Sequence, residues 1–215
     1  MAGVEVRNAK ETDASFIAWV ELTATRSHLP RGFYDFAFPG DEAECLERIR
    51  SVACTRALSM AHWSNFLVAE VDGQLASGLS GYEPTKRGPD TMPVAMMEAL
   101  GGAGWTEEHI GEVFNRMTPF LTCVTESPED AWVVEWVATK PEYRGHGLIR
   151  RLLTDILDEG RRRGYRRSQI SVLIGNTPAQ RAYEGAGFKV EDEKRHPEFE
   201  RVFGCPGIRR MLRSL

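Results

Sequence analysis

Apolar and polar positions repeat at two periods along the 215 residues, and the changes of period mark out the elements. Val4 and Val6 alternate with polar neighbours and predict a short strand. From Lys10 to Thr25 the period lengthens to that of a helix, with Thr12 or Asp13 as its cap and Phe16, Ile17, Val20 and Ala24 on one face. The stretch HLPRGFYDFAFPGDE reads as a loop. Asp41 then caps a second helix running to about Ala57, with Ala43, Leu46, Ile49, Val52 and Ala53 inward. FLVAEVDGQLASGLSGY places two strand-like runs around Asp72-Gly73, a favoured two-residue hairpin turn.

Residues 84–104 are rich in proline and glycine and read as a loop around a short Met-rich helical piece. Thr106 to Val124 reads as a helix, capped by Thr106, with Glu107 and Glu108 in the first turn where acids suit the dipole. Residues 84–128 therefore form an insertion between strands. After Pro128 the pattern sharpens. AWVVEWVAT is a nearly continuous apolar strand, as expected near a sheet centre. LIRRLLTDILDEGRRRG carries Leu148, Ile149, Leu152, Leu153, Ile156 and Leu157 on one helical face. SQISVLIG is the next strand, and NTPAQRAYEGAG a short helix with Pro178 near its start and Gly187 closing it. FKVEDEK and GIRRMLRSL complete the strands. The chain, 1–215, reads as a single α/β domain.

Composition narrows the function. With 42% hydrophobic residues the chain can bury one sizeable core, and a net charge of -4 lacks the basic footprint of a nucleic-acid binder. Cys45, Cys54, Cys123 and Cys205 lie far apart and the histidines are scattered, so no metal site is expected. No window is long and apolar enough for a membrane span, and the N-terminus lacks a secretory signal, which together predict reduced thiols in a cytoplasmic protein.

The candidate chemistry lies in ATKPEYRGHGLIRRLLTDIL, residues 138–157. A strand, a glycine turn and a helix start make a natural anion site, because free N–H groups and the helix dipole point at the ligand. Gly145 and Gly147 let a ligand approach the backbone, and Arg144 adds a planar donor suited to phosphate. A nucleotide-triphosphate loop would need Lys-Ser or Lys-Thr where Leu148-Ile149 stand. A dinucleotide fingerprint would need glycine at Arg150. By themselves these residues fit several cofactors.

With GNTPAQRAYEGAGF about thirty residues further on, the stretch VATKPEYRGHGLIRRLL resembles the GNAT superfamily of acyl-CoA-dependent N-acyltransferases. Its first signature is matched by Arg144, Gly145, His146, Gly147 and Leu148. Ile149 departs from the usual Gly or Ala, and a β-branched side chain there would crowd a pyrophosphate or shift the helix start. Asn176, Ala179, Tyr183, Gly187 and Phe188 match the second. The resemblance is strong over about 130–190. It implies a mixed sheet of about seven strands, splayed between the fourth and fifth, flanked by helices and carrying the helical insertion before the fourth. Acetyl-CoA would be the co-substrate, without a metal. Its pantetheine arm would lie along Trp136, Val137, Ala138 and Thr139. Its pyrophosphate would rest on residues 144–149, with Arg150 near it. Asn176 and Ala179 would orient the arm, and Tyr183 would protonate the leaving thiolate.

Glu135 interrupts an otherwise apolar strand, which is costly unless it faces a cleft, and is the candidate base. Ser171 stands where some members of the family carry a glutamate. The implied reaction moves an acetyl group to a primary amine of a small molecule or peptide. A non-catalytic acyl-CoA-binding module is the alternative, and the sequence leaves a homodimer open.

Overall fold

The computed structural model describes residues 3–215. Its first half runs β1 (Val4–Asn8), α1 (Ala14–Arg26), α2 (Phe33–Ala37), α3 (Glu42–Ala53), β2 (Phe66–Val71) and β3 (Gln74–Tyr82). Three helices follow, α4 (Pro84–Arg87), α5 (Met92–Gly102) and α6 (Glu107–Leu121). The second half runs β4 (Ala131–Thr139), α7 (Leu148–Arg162), β5 (Arg167–Leu173), α8 (Thr177–Gly185), β6 (Lys189–Arg195), α9 (Pro197–Phe203) and β7 (Gly207–Ser214).

The strands form one sheet in the order β1-β2-β3-β4-β5-β7-β6. β4 and β5 run parallel; the other neighbours are antiparallel. The β4–β5 ladder extends only from Ala131↔Arg167 to Val134↔Ile170. Beyond it the two strands part, which is the splay expected between the fourth and fifth strands.

Helices cover both faces. α7 lays Leu148, Leu152, Leu153, Ile156 and Leu157 on a sheet face built from Trp132, Val134, Ile170 and Val172, and α8 adds Tyr183. Each fully buried aliphatic side chain in that stripe contributes about 1.5–3 kcal/mol. The other face is covered by α1, α2, α3, α5 and α6, through Ile17, Val20, Leu22, Tyr34, Ile49, Val52, Met96 and Val113 among others.

Several expected boundaries move, for local reasons. Asp13 turns its carboxylate to the Lys10 amide (2.8 Å) and to Arg7 (2.7 Å), so a 3₁₀ turn precedes α1, which starts at Ala14. The second helix ends at Ala53 and its inward face is Cys45, Ile49, Val52 and Ala53; Ala43 is exposed. Asp41 does cap it, accepting from the Glu44 amide at 2.8 Å. The aromatic loop contains α2, whose Asp35 accepts from the Gly32 amide at 2.7 Å. Residues 84–104 are largely helical. Pro84, Pro89 and Pro93 all sit in the first two positions of a helical segment, where a missing N–H costs nothing. α9 is a helix that the apolar pattern does not predict, although Pro197 opens it and Gly204, at φ 79°, closes it.

Candidate active site

The glycine turn after β4 is open. Gly145 and Gly147 have φ of 81° and 74°, and a Cβ built on either would meet nothing within 4 Å. Arg144 N–H donates to Pro141 O (3.2 Å), and the next backbone bond of this stretch is Arg151 N–H to Gly147 O (3.2 Å). Among the described residues, the amides of 145–150 between them donate to no backbone carbonyl. They lie at the head of a 15-residue helix, where an anion is favoured. Arg144, His146 and Arg150 are exposed around the turn, and Arg144 Nε reaches back to Thr139 O at 3.3 Å. The Arg151 guanidinium is spent on Val4 O (2.9 Å).

Ile149 does not crowd this cradle. Its side chain packs against the α7-side core beside buried Leu148. Ile149→Gly is therefore expected to lower stability by about 2 kcal/mol or more, from lost packing and a glycine in the first helical turn. It should not tighten CoA binding; thermal unfolding and calorimetry check the two parts.

β4 carries a bulge at the point where β5 leaves it. Ser80 faces Glu135 and Gly78 faces Ala138, so Leu79 alone opposes Trp136 and Val137. Trp136 has φ 49°, a left-handed backbone that costs a non-glycine residue about 1–2 kcal/mol. The bulge breaks the alternation of side chains. Val134 and Val137 face α7, while Trp136 packs towards α1 and stacks on Phe66 with ring centroids 6.0 Å apart. Ala138 also belongs to the α1 side, and Thr139 Oγ1 lies 2.7 Å from Ser77 Oγ. From Glu135 onward the β4 edge towards β5 has no strand partner among the described residues.

Glu135 sits at the start of this bulge, on the α1 side. Burial raises its pKa from the ordinary 4.5 to about 7, and the Tyr82 hydroxyl partly opposes the rise by favouring the carboxylate. A second carboxyl lies close by. Glu21, on α1, is fully buried. Tyr34 Oη donates to Glu21 Oε2 at 2.5 Å, whereas Oε1 has no partner. Burial pushes Glu21 well above the usual range; Tyr34 opposes this and the charge of Glu135 adds to it. Glu21, Tyr34 and Tyr82 escaped the sequence reading, though Glu21 interrupts the apolar run FIAWVEL much as Glu135 interrupts VVEWV.

Tyr183 is buried on the α7 side, 7% exposed, edge-on to Phe188 with centroids 6.5 Å apart. Burial lifts its phenol well above the ordinary value, so it stays protonated at neutral pH. Asn176 caps α8: Oδ1 accepts from the Ala179 amide (3.2 Å), while Nδ2 donates to Ser27 Oγ (2.6 Å) at the end of α1. Both ends of its amide are thus engaged by the chain itself. Ala179 packs against the α7-side core, and Ser171 Oγ lies 3.5 Å from Thr125 Oγ1. Glu135 and Tyr183 consequently lie on opposite faces of the sheet. No group of three His, Cys, Asp or Glu able to hold a metal occurs among the described residues, and no helix among them is long and apolar enough to cross a membrane.

The fold is similar to those of solved structures described as acetyltransferases. An N-acetyltransferase from Staphylococcus aureus superposes with a TM-score of 0.70 at 19% identity, covering 97% of this chain and 100% of its own. YncA of Salmonella typhimurium, solved with its cofactor acetyl-CoA, gives 0.56 at 18% identity, covering 99% of this chain and 94% of its own. N-acetylglutamate synthase from Neisseria gonorrhoeae, complexed with coenzyme A and N-acetyl-glutamate, gives 0.52 at 16% identity over 100% of this chain and 36% of its own. At these identities the likeness establishes the fold. The description of the acetyltransferase (GNAT) family matches residues 31–188, and the chain belongs to that family. A comparison with curated proteins finds no match.

Proposed function

We propose that the protein is an acetyl-CoA-dependent N-acetyltransferase acting on a primary amine of a small molecule or peptide. The reading rests on one observation above others: a strand edge left unpaired at the gap where β4 parts from β5, with the Glu135 carboxyl on one face of the sheet and the Tyr183 phenol on the other. A thioester lying in that gap would offer its carbonyl carbon to the Glu135 side and its sulfur to the Tyr183 side.

The amides of 145–150 would hold the diphosphate, with Arg144 and Arg150 beside it. The backbone of Trp136, Val137 and Ala138 would pair with the pantetheine arm as an added strand. The amine nitrogen attacks the carbonyl carbon, its proton passing to Glu135. The new C–N bond forms, the C–S bond breaks, and Tyr183 gives its proton to the sulfur before recovering one from solvent. A backbone N–H of the 135–139 strand would stabilise the intermediate oxyanion. Residues 1–215 act as one catalytic domain, with the α4–α6 insertion walling the acceptor side.

Tyr183→Phe tests the assignment. It is expected to lower kcat about 10²-fold or more while leaving CoA affinity unchanged, read as release of CoA thiol with an amine panel. Tight CoA binding with no thiol release on any amine would refute the enzyme and leave a binding module.

A further inference from the structure

A buried carboxyl is expensive, and replacing one by an uncharged residue of similar volume is often neutral or stabilising. Glu21 is such a carboxyl, 0% exposed. Tyr34, itself 1% exposed, satisfies one oxygen and leaves the other unpartnered. Glu135 faces it from β4, with Tyr82 beside Glu135. The same sheet face carries a second orphan. Gln169 on β5, 2% exposed, gives its amide N–H to Ser127 Oγ (2.9 Å) and leaves Oε1 without a partner. It pairs with Val133, two residues before Glu135 and on the same side of the strand. Two carboxyls and an amide oxygen therefore share the face proposed for the acceptor; the orphaned Gln169 oxygen accepts hydrogen bonds, and that of Glu21 does so once the carboxyl is ionised.

We propose that this face selects the acceptor in its cationic form, an alkylammonium, and that Glu21 is the residue that sets the preference. The inference rests on the amine-acetyltransferase reading of the same cleft. An ammonium has three N–H donors and no acceptor, the complement of these oxygens. Its charge favours the ionised form of both carboxyls, offsetting the burial and the repulsion from Glu135 that otherwise keep Glu21 protonated. Once one N–H proton passes to Glu135, the neutral amine left behind carries the lone pair that attacks, and the second N–H proton, released to solvent as the C–N bond forms, balances the one that Tyr183 gives the sulfur and regains. A neutral or anionic acceptor would leave the orphaned oxygens unpaired and is disfavoured.

The test compares 2-phenylethylammonium with its neutral analogue 2-phenylethanol, titrated calorimetrically into CoA-saturated protein at pH 7. The wild type is expected to bind the ammonium at least tenfold more tightly. Glu21→Gln, which keeps an acceptor for Tyr34, is expected to lose most of that ratio, as is Glu21→Leu, with CoA affinity unchanged in both. A merely structural Glu21 would alter unfolding temperature and CoA affinity and leave the ratio intact. A wild type without preference, or a Glu21→Gln that keeps it, overturns the inference. Ammonium preference without thiol release from acetyl-CoA overturns the catalytic reading instead.

Discussion

Gly147→Trp is expected to abolish CoA binding, weakening it at least 100-fold, about 3 kcal/mol or more. Two effects combine. The φ of 74° is left-handed, so any side chain there costs about 1–2 kcal/mol. The indole would also fill the space that is empty above Gly147 and cover the amides that await an anion. The strain alone would not unfold a domain of ordinary stability, roughly 5–15 kcal/mol. Gly164 supplies the control, since it has φ 88°, equally open surroundings, and lies at the other end of α7. Gly164→Trp should incur the same strain and leave CoA affinity unchanged. Equal affinities for the wild type and Gly147→Trp would refute the cradle.

The second half of the chain was legible because its signals are local. The α7 stripe, the glycines at its mouth and the Asn-Pro start of α8 each act within a few residues, and the structure places all three where their patterns put them. The first half was less legible. α2 is only five residues long, and it holds because Tyr34 and Phe38 are buried between α1 and α3, a contact no local window reveals. Between β3 and β4, prolines read as breakers proved to be starters, since proline is tolerated in a first turn and only the position of the turn distinguishes the two roles. The site divides in the same way. Glu135 stood out as a charge in an apolar strand. The Trp136 bulge depends on the register of β3 against β4, and the pairing of Glu21 with Glu135 depends on packing α1 across the sheet, so neither is written in one segment. Ile149 breaks the family pattern in sequence but not in space, because its side chain turns into the core and leaves the backbone free for a ligand.

Glu135→Gln is expected to separate activity from stability. A base must be ionised to take a proton, so with a pKa near 7 the wild-type rate should climb as pH rises through neutrality. The glutamine variant should lose that limb and fall about 10²-fold or more in kcat/KM, with CoA affinity intact. An unaltered pH–rate profile would rule Glu135 out as the base. Stability should move the other way. In the unfolded chain the carboxyl releases its proton near 4.5, whereas the folded protein holds it to about 7. Between those values the folded state binds the extra proton, so the wild type loses stability as pH rises across the interval and regains none above it. At roughly 1.4 kcal/mol per pH unit the loss reaches about 3.5 kcal/mol above neutrality. Glutamine does not titrate, so the variant should match the wild type in urea at pH 4 and exceed it at pH 8. A variant less stable at both pH values would mark Glu135 as a structural group. Greater stability with slower turnover would mark a carboxyl held in an unfavourable site because the reaction needs its charge there.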